Sequence, residues 1–128
     1  MNLKTFLTIN AVMFIPFGIG MLLMPTFIFE MIDVNLDSDG ILMANTVGSM
    51  LLSFGLICLF ARNITAKSQA LNALLIGNLS FHAIDSFLTF KGAFTGVMNN
   101  LGFIFSGMHF VFAIGLIYFY YQMNSNKS

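Results

Sequence analysis

The chain has 128 residues, of which 58% are hydrophobic and only 8% charged, and its mean hydropathy is +0.89. That is too little charge to keep the surface of a soluble domain of this size wet, so one compact membrane domain is expected. Zero formal net charge gives no footprint for a nucleic acid, and a single cysteine, Cys58, excludes an intrachain disulfide.

The first apolar run covers 5–24, enough for about 30 Å of helix. Lys4 ahead of it resembles the start of a signal peptide. The run is too long for that role and no small-x-small cleavage pattern closes it, so an uncleaved first span is expected. Pro16 removes a backbone donor, which predicts a kink, and Asn10 is expected to bond to a neighbouring helix.

Pro25 ends this span, and 25–40 is read as the longest connection, on the outer side. Its first half, through Phe27, Ile28, Phe29 and Ile32, is apolar enough to lie in the interface as a short helical or re-entrant piece. Its second half carries Asn35, Asp37, Asp39 and Gly40 at the spacing of an oxygen-rich calcium loop. The twelfth position of that register is Thr46, however, where calcium loops require a bidentate Glu. Asp37, Ser38 or Asp39 capping the next helix is the simpler expectation.

The second span is read over 41–61, with Ala44, Gly48 and Gly55 on one small-residue face and Asn45, Ser49 and Ser53 on the next. After a short basic turn over 62–67, the third span covers 68–90, where Ala70, Ala73, Gly77 and Ser80 form a second small face. The fourth covers 98–121, with a ridge of Gly102, Ser106, His109 and Ala113, and Tyr118, Tyr120 and Tyr121 at a headgroup boundary. The polar tail 122–128 is expected to be disordered. The fold class that follows is all-α: an up-down-up-down four-helix transmembrane bundle with short connections between antiparallel neighbours. If the spans alternate, Lys4, Arg62, Lys67 and Lys127 share one side and only Lys91 the other. This predicts a multi-pass protein of the inner or plasma membrane with both termini cytoplasmic.

Asn78, His82, Asp85 and Thr89 fall within an arc of roughly 60° on the third span, with Ser86 at its edge. Lipid cannot hydrogen-bond to such a stripe, so it must face protein or water. Measured from the outer helix ends, Asn45 and Asp85 are expected about 6 to 8 Å deep, Ser49, His82 and Ser106 about 12 Å, and His109 about 16 Å. Polar groups of three helices thus gather in the outer half of the membrane.

Two arrangements of these groups are open. Asp85, His82, His109 and Asn45 can hydrogen-bond to one another and fix helix register. Alternatively, with Ser49, Asn78 and Ser106, they can line an outward-open pocket for a small lipophilic or weakly basic ligand. Haem between His82 and His109 is a further reading, while two histidines and one acid fall short of a zinc set. With no phosphate-cradling glycine loop, no nucleophile elbow and no second membrane acid, no catalytic residue is assigned.

Gly48, Gly55 and Ala61-Arg62 in the second span, Phe81-His82 in the third, and His109 ahead of a Tyr-rich end in the fourth resemble small bacterial four-span membrane proteins of unknown function, grouped loosely with DoxX-like proteins. That resemblance covers nearly the whole chain and implies the bundle and nothing catalytic. The layout is also similar to the sterol-isomerase and sigma-two-receptor class, whose members bind lipophilic amines or sterols beside buried acids. The present chain has one intramembrane acid and no Trp, so only Asp85 carries over, as a counter-ion for a cationic ligand. The rival readings are an accessory subunit of a membrane complex or a homo-oligomer, and a redox or quinone-linked protein using the histidines.

Overall fold

A computed structural model describes residues 1–64 and 66–125, which form five helices: α1 (Leu3–Leu23), α2 (Pro25–Glu30), α3 (Ser38–Ala61), α4 (Gln69–Phe94) and α5 (Leu101–Ser125). The expected all-α class is what the structure shows, with no strand among the described residues. The four long helices contain 21, 24, 26 and 25 residues and are apolar and long enough to cross a bilayer. They divide into two compact units, Met1–Asn63 and Ile64–Ser128.

In the first unit α1 begins at Asn2, whose side-chain oxygen accepts from the Thr5 N–H at 2.9 Å. The helix runs through Pro16 and stops at Met24, because Pro25 supplies no N–H to continue the ladder and instead opens α2. The short α2 is helical, as expected from its apolar sequence, and Ile28 from it lies against Gly20. The chain then turns through Asp33, in the left-handed region at φ 60°. Asp37 closes the loop: its carboxylate oxygen accepts from the Gly40 N–H at 2.7 Å and caps α3. The register that would make 35–46 a calcium loop is therefore helical from Ser38 onward, with Asp37 bound to its own helix. Asp37→Ala is expected to cost about 1 kcal/mol and Asp37→Asn much less. The melting temperature in detergent checks this, and an equal loss in both variants would show that charge rather than capping matters.

α1 and α3 run antiparallel and cross on glycine. A Cβ at Gly18 would stand 2.5 Å from the Leu52 backbone nitrogen, one at Gly48 would be 2.8 Å from Met21 Cβ, and one at Gly55 would be 2.6 Å from Ile15. The small face Ala44, Gly48 and Gly55 is thus the one α1 packs on. Around it Leu7, Ala11, Phe14, Leu51 and Cys58 are buried, and Asn10 is fully enclosed.

In the second unit Ser68 caps α4, accepting from the Leu71 N–H at 3.1 Å. α4 continues to Phe94, a turn beyond the expected end at 90. Lys91, Gly92 and Ala93 sustain the helix until Gly96, at φ 76°, reverses the chain with Val97 and Met98 donating to the Gly92 carbonyl. α5 likewise starts at Leu101 rather than 98 and ends at Ser125 rather than 121. Its last turn is held by Asn124, which exchanges amide hydrogen bonds of 3.2 and 3.3 Å with Asn72 of α4. Residues 122–125, expected as disordered tail, are therefore helix. The remainder of that tail, including Lys127, and Thr65 of the basic turn lie outside the described residues.

α4 and α5 are antiparallel, packing through Leu71, Leu75, Leu116 and Phe119 toward the Asn72–Asn124 end and through Gly102 against Ala93 and Thr89 at the other. The ridge Gly102, Ser106, His109 and Ala113 is buried as a face that close packing requires. The small stripe of α4 fares differently. Ala70, Ala73, Gly77 and Ser80 are exposed, and a Cβ at Gly77 would meet nothing within 4 Å. Hydrogen bonding of the polar stripe, rather than small size, selects the face that α4 turns to α5.

Candidate functional site

The site lies within the second unit, on the facing sides of α4 and α5. Residues three and four apart on a helix share a face, so His82, Asp85 and Ser86 project together and meet residues of α5. His82 is fully buried, and its Nδ1 stands 2.8 Å from Nδ1 of His109. The other ring nitrogen of His109, Nε2, is 3.0 Å from Asp85 Oδ2. His109 is therefore the middle of a three-membered chain. With Asp85 ionised, one arrangement of hydrogens satisfies every contact: His109 Nε2–H donates to the carboxylate, and His82 Nδ1–H donates to the bare Nδ1 of His109.

Burial is graded along this chain. The Asp85 side chain keeps 33% of its surface exposed, that of His109 only 11%, and His82 none. An aromatic sleeve closes the inner end. Phe112 stacks on His82 with centroids 5.0 Å apart and planes inclined by 12°, while Phe81 presents edge contacts to both imidazoles at 5.5 and 5.7 Å. These contacts lock the ring orientations on which the hydrogen bonds depend.

One turn along, Ser86 Oγ donates to the Ser106 carbonyl at 3.0 Å and Ser106 Oγ donates to the Ser86 carbonyl at 2.8 Å. This reciprocal pair fixes the register of α4 against α5. Thr89 turns back on its own helix, donating to the Asp85 carbonyl at 2.7 Å, and Asn78, almost fully buried, donates to the Leu74 carbonyl at 2.9 Å. Of the residues singled out from sequence, His82, Asp85 and His109 meet directly. Ser106 and Asn78 flank them on the same contact face.

Asn45 and Ser49 belong to the first unit. Ser49 is exposed, donates to the Thr46 carbonyl at 2.8 Å, and lines a shallow depression of about 200 Å³ with Ser53 and Ile57. Asn45 Oδ1 is buried with no hydrogen-bond partner among the described residues. Asn35, Asp37 and Asp39 lie in the α2–α3 loop and the start of α3. Among the described residues no group of three His, Cys, Asp or Glu is arranged to hold a metal ion.

The three polar side chains converge on one another. A groove of about 690 Å³ does run along the α4–α5 face, between Leu79, Phe87, Phe103 and Phe110, with the Ser86–Ser106 pair in its wall. Asp85 does not line it: on a 100° wheel its side chain lies on the opposite flank of the contact face. Sequence reasoning missed the aromatic sleeve and the Asn72–Asn124 clasp. Phe81 and Phe112 are two of 16 phenylalanines and carry no mark of their own. Asn124 falls beyond the expected helix end. Ser86, at the margin of the polar arc, was the legible hint of the serine pair.

These features define an all-α protein with four helices long and apolar enough to cross a membrane and a hydrogen-bonded imidazole–carboxylate cluster inside one helical pair. Comparison with protein-family models, with curated proteins and with solved structures finds no match.

Proposed function

We propose that the protein is a non-enzymatic integral membrane protein in which Asp85 binds a small lipophilic, weakly basic ligand. The observation that carries this reading is the held carboxylate. Oδ2 is fixed by His109, which is oriented in turn by His82 and Phe81, while a third of the Asp85 side chain stays accessible. An acid in a membrane helix is costly unless paired, and a protonated amine supplies charge pairing that a neutral imidazole does not. An apolar body on the amine would rest on the exposed Ile84 and Leu88 beside it. The antiparallel pairs bring Lys4 and Arg62 to one end of the first unit and set Lys67 and Lys91 at opposite ends of the second. This supports a topology in the inner or plasma membrane with both termini cytoplasmic.

The test is thermal stabilisation of the detergent-solubilised protein by a lipophilic tertiary amine and by its uncharged carbon isostere. The amine is expected to raise the melting temperature and the isostere is not. Asp85→Asn should abolish the difference while keeping its helical circular dichroism. Equal stabilisation by both compounds, or an unchanged response in Asp85→Asn, would remove Asp85 as the recognition group.

A second reading, an accessory subunit of a membrane complex, is favoured by the exposed small-residue stripe Ala70, Ala73, Gly77 and Ser80 on α4, a face suited to close helix contact. The haem reading fits the geometry poorly. Two metal–nitrogen bonds of about 2 Å each would set axial nitrogens about 4 Å apart, whereas the two Nδ1 atoms are in direct hydrogen-bond contact at 2.8 Å.

A further inference from the structure

An imidazole that only orients a carboxylate needs one of its nitrogens for the task. His109 has both engaged, and each faces a group that can itself gain or lose a proton: Asp85 Oδ2 at 3.0 Å and His82 Nδ1 at 2.8 Å. Both distances are those of direct hydrogen bonds, along which a proton can be handed from donor to acceptor. From these contacts we propose that Asp85, His109 and His82 form a relay that carries one mobile proton between the accessible carboxylate and the enclosed imidazole. The relay goes beyond ligand recognition and stands whether or not a ligand binds at Asp85.

The protons balance as follows. With Asp85 ionised and both rings neutral, the cluster holds a charge of −1; one added proton makes it neutral. When that proton is on His82, the imidazolium gives its Nδ1 proton to His109 Nδ1. His109 gives its Nε2 proton to Asp85 Oδ2. Two N–H bonds break, one N–H and one O–H bond form, and the polarity of both hydrogen bonds reverses. Asp85 is then a neutral acid donating to His109, which now donates from Nδ1 to His82. The reverse sequence returns the proton inward.

The two ends differ in exposure: a third of the Asp85 side chain is accessible, whereas the His82 ring is buried with Phe112 and Phe81 packed on it. Among the described residues of the second unit, no other titratable side chain lies on this part of the contact face. Lys91 is exposed near the far end of α4, and Tyr118, Tyr120 and Tyr121 are near the last turns of α5. The serine pair supplies the rigidity, since it holds the helices at the spacing the two short contacts require.

The test uses the full chain in nanodiscs, with ¹⁵N-labelled histidine read by solid-state NMR and the protonated-carboxyl stretch of Asp85 read by infrared difference spectroscopy across a pH series. The relay requires the tautomers of both histidines to switch together with the appearance of the Asp85 carboxyl band, at one shared midpoint. In His109→Gln the two ends are expected to titrate separately, at midpoints differing by a pH unit or more. Rings that keep one tautomer throughout, or an Asp85 band whose midpoint is unrelated to the ring signals in the unmodified protein, would overturn the proposal. The unmodified protein decides this by its own spectra, so a failure of the variant to fold does not rescue the idea. No amine is present, so the outcome is independent of the ligand test.

Discussion

Gly18→Leu is expected to separate α1 from α3. A single methyl at this position would sit 2.5 Å from the Leu52 nitrogen and 2.8 Å from the Gly48 carbonyl oxygen. Both obstacles are backbone, which cannot rotate aside as a side chain does, so the helices must move apart and lose the dispersion contacts along the whole crossing. Overpacking a well-filled interior costs about 1–3 kcal/mol, and a leucine meeting backbone belongs at the upper end. Cys58 provides the readout, because it is the only cysteine and is fully buried in the first unit. With 1.4 kcal/mol per tenfold change, a loss of about 3 kcal/mol raises its labelling by a thiol reagent about a hundredfold where labelling follows the opened population. Gly77→Leu is the control. Nothing lies within 4 Å of a Cβ there, and the melting temperature is expected to hold or rise. Equal damage from both substitutions would mean that the glycines serve some purpose other than the α1–α3 approach.

His109→Ala is expected to have the next largest effect, through groups left behind more than through the group removed. It strands His82 Nδ1 in an enclosed site and leaves Asp85 Oδ2 without its donor. A hydrogen bond to a charged group contributes about 1.5–3 kcal/mol, and a stranded polar group costs about 1–3 kcal/mol. Solvent at the exposed end of Asp85 moderates the first figure, so a loss of about 3 kcal/mol is expected. Adding His82→Phe removes the stranded imidazole and places an apolar ring against Phe112. The double variant should then be more stable than His109→Ala alone, a non-additivity diagnostic of direct coupling. Thermal melts followed by circular dichroism measure both. Strictly additive losses would show that the two rings are neighbours without being energetically linked.

The contrast between these two sites explains what could be read from the chain. Both rest on small or polar residues at helical spacing, and both patterns were visible in one dimension. For Gly48 and Gly55 the pattern named the contact face, because a smooth face gains most by close approach. For Ala70, Ala73 and Gly77 the same pattern named a face that α5 does not cover. The difference lies in Asn78, His82, Asp85 and Ser86, whose hydrogen-bonding needs outweigh the gain from close packing in an apolar surround. Helix ends were legible where a residue forbids continuation, as at Pro25, or caps, as at Asp37. They were displaced where an ordinary residue continues the helix: Phe94, four residues past the expected end, and Asn124, whose amide finds a partner on α4.

What the residues alone establish is a set of four long apolar helices and the position of every polar group along them, because hydropathy and helical pitch depend only on neighbours in the chain. Which polar groups meet is a different matter. His82 and His109 are separated by 27 positions, and no local rule says whether their rings touch, line a cavity or face apart. Only the packing of α4 on α5, with the serine pair setting register and two phenylalanines holding the rings, brings one nitrogen within 2.8 Å of the other. Hydrogen bonds are short-ranged and directional, so the chemistry of the cluster exists only once that register is set.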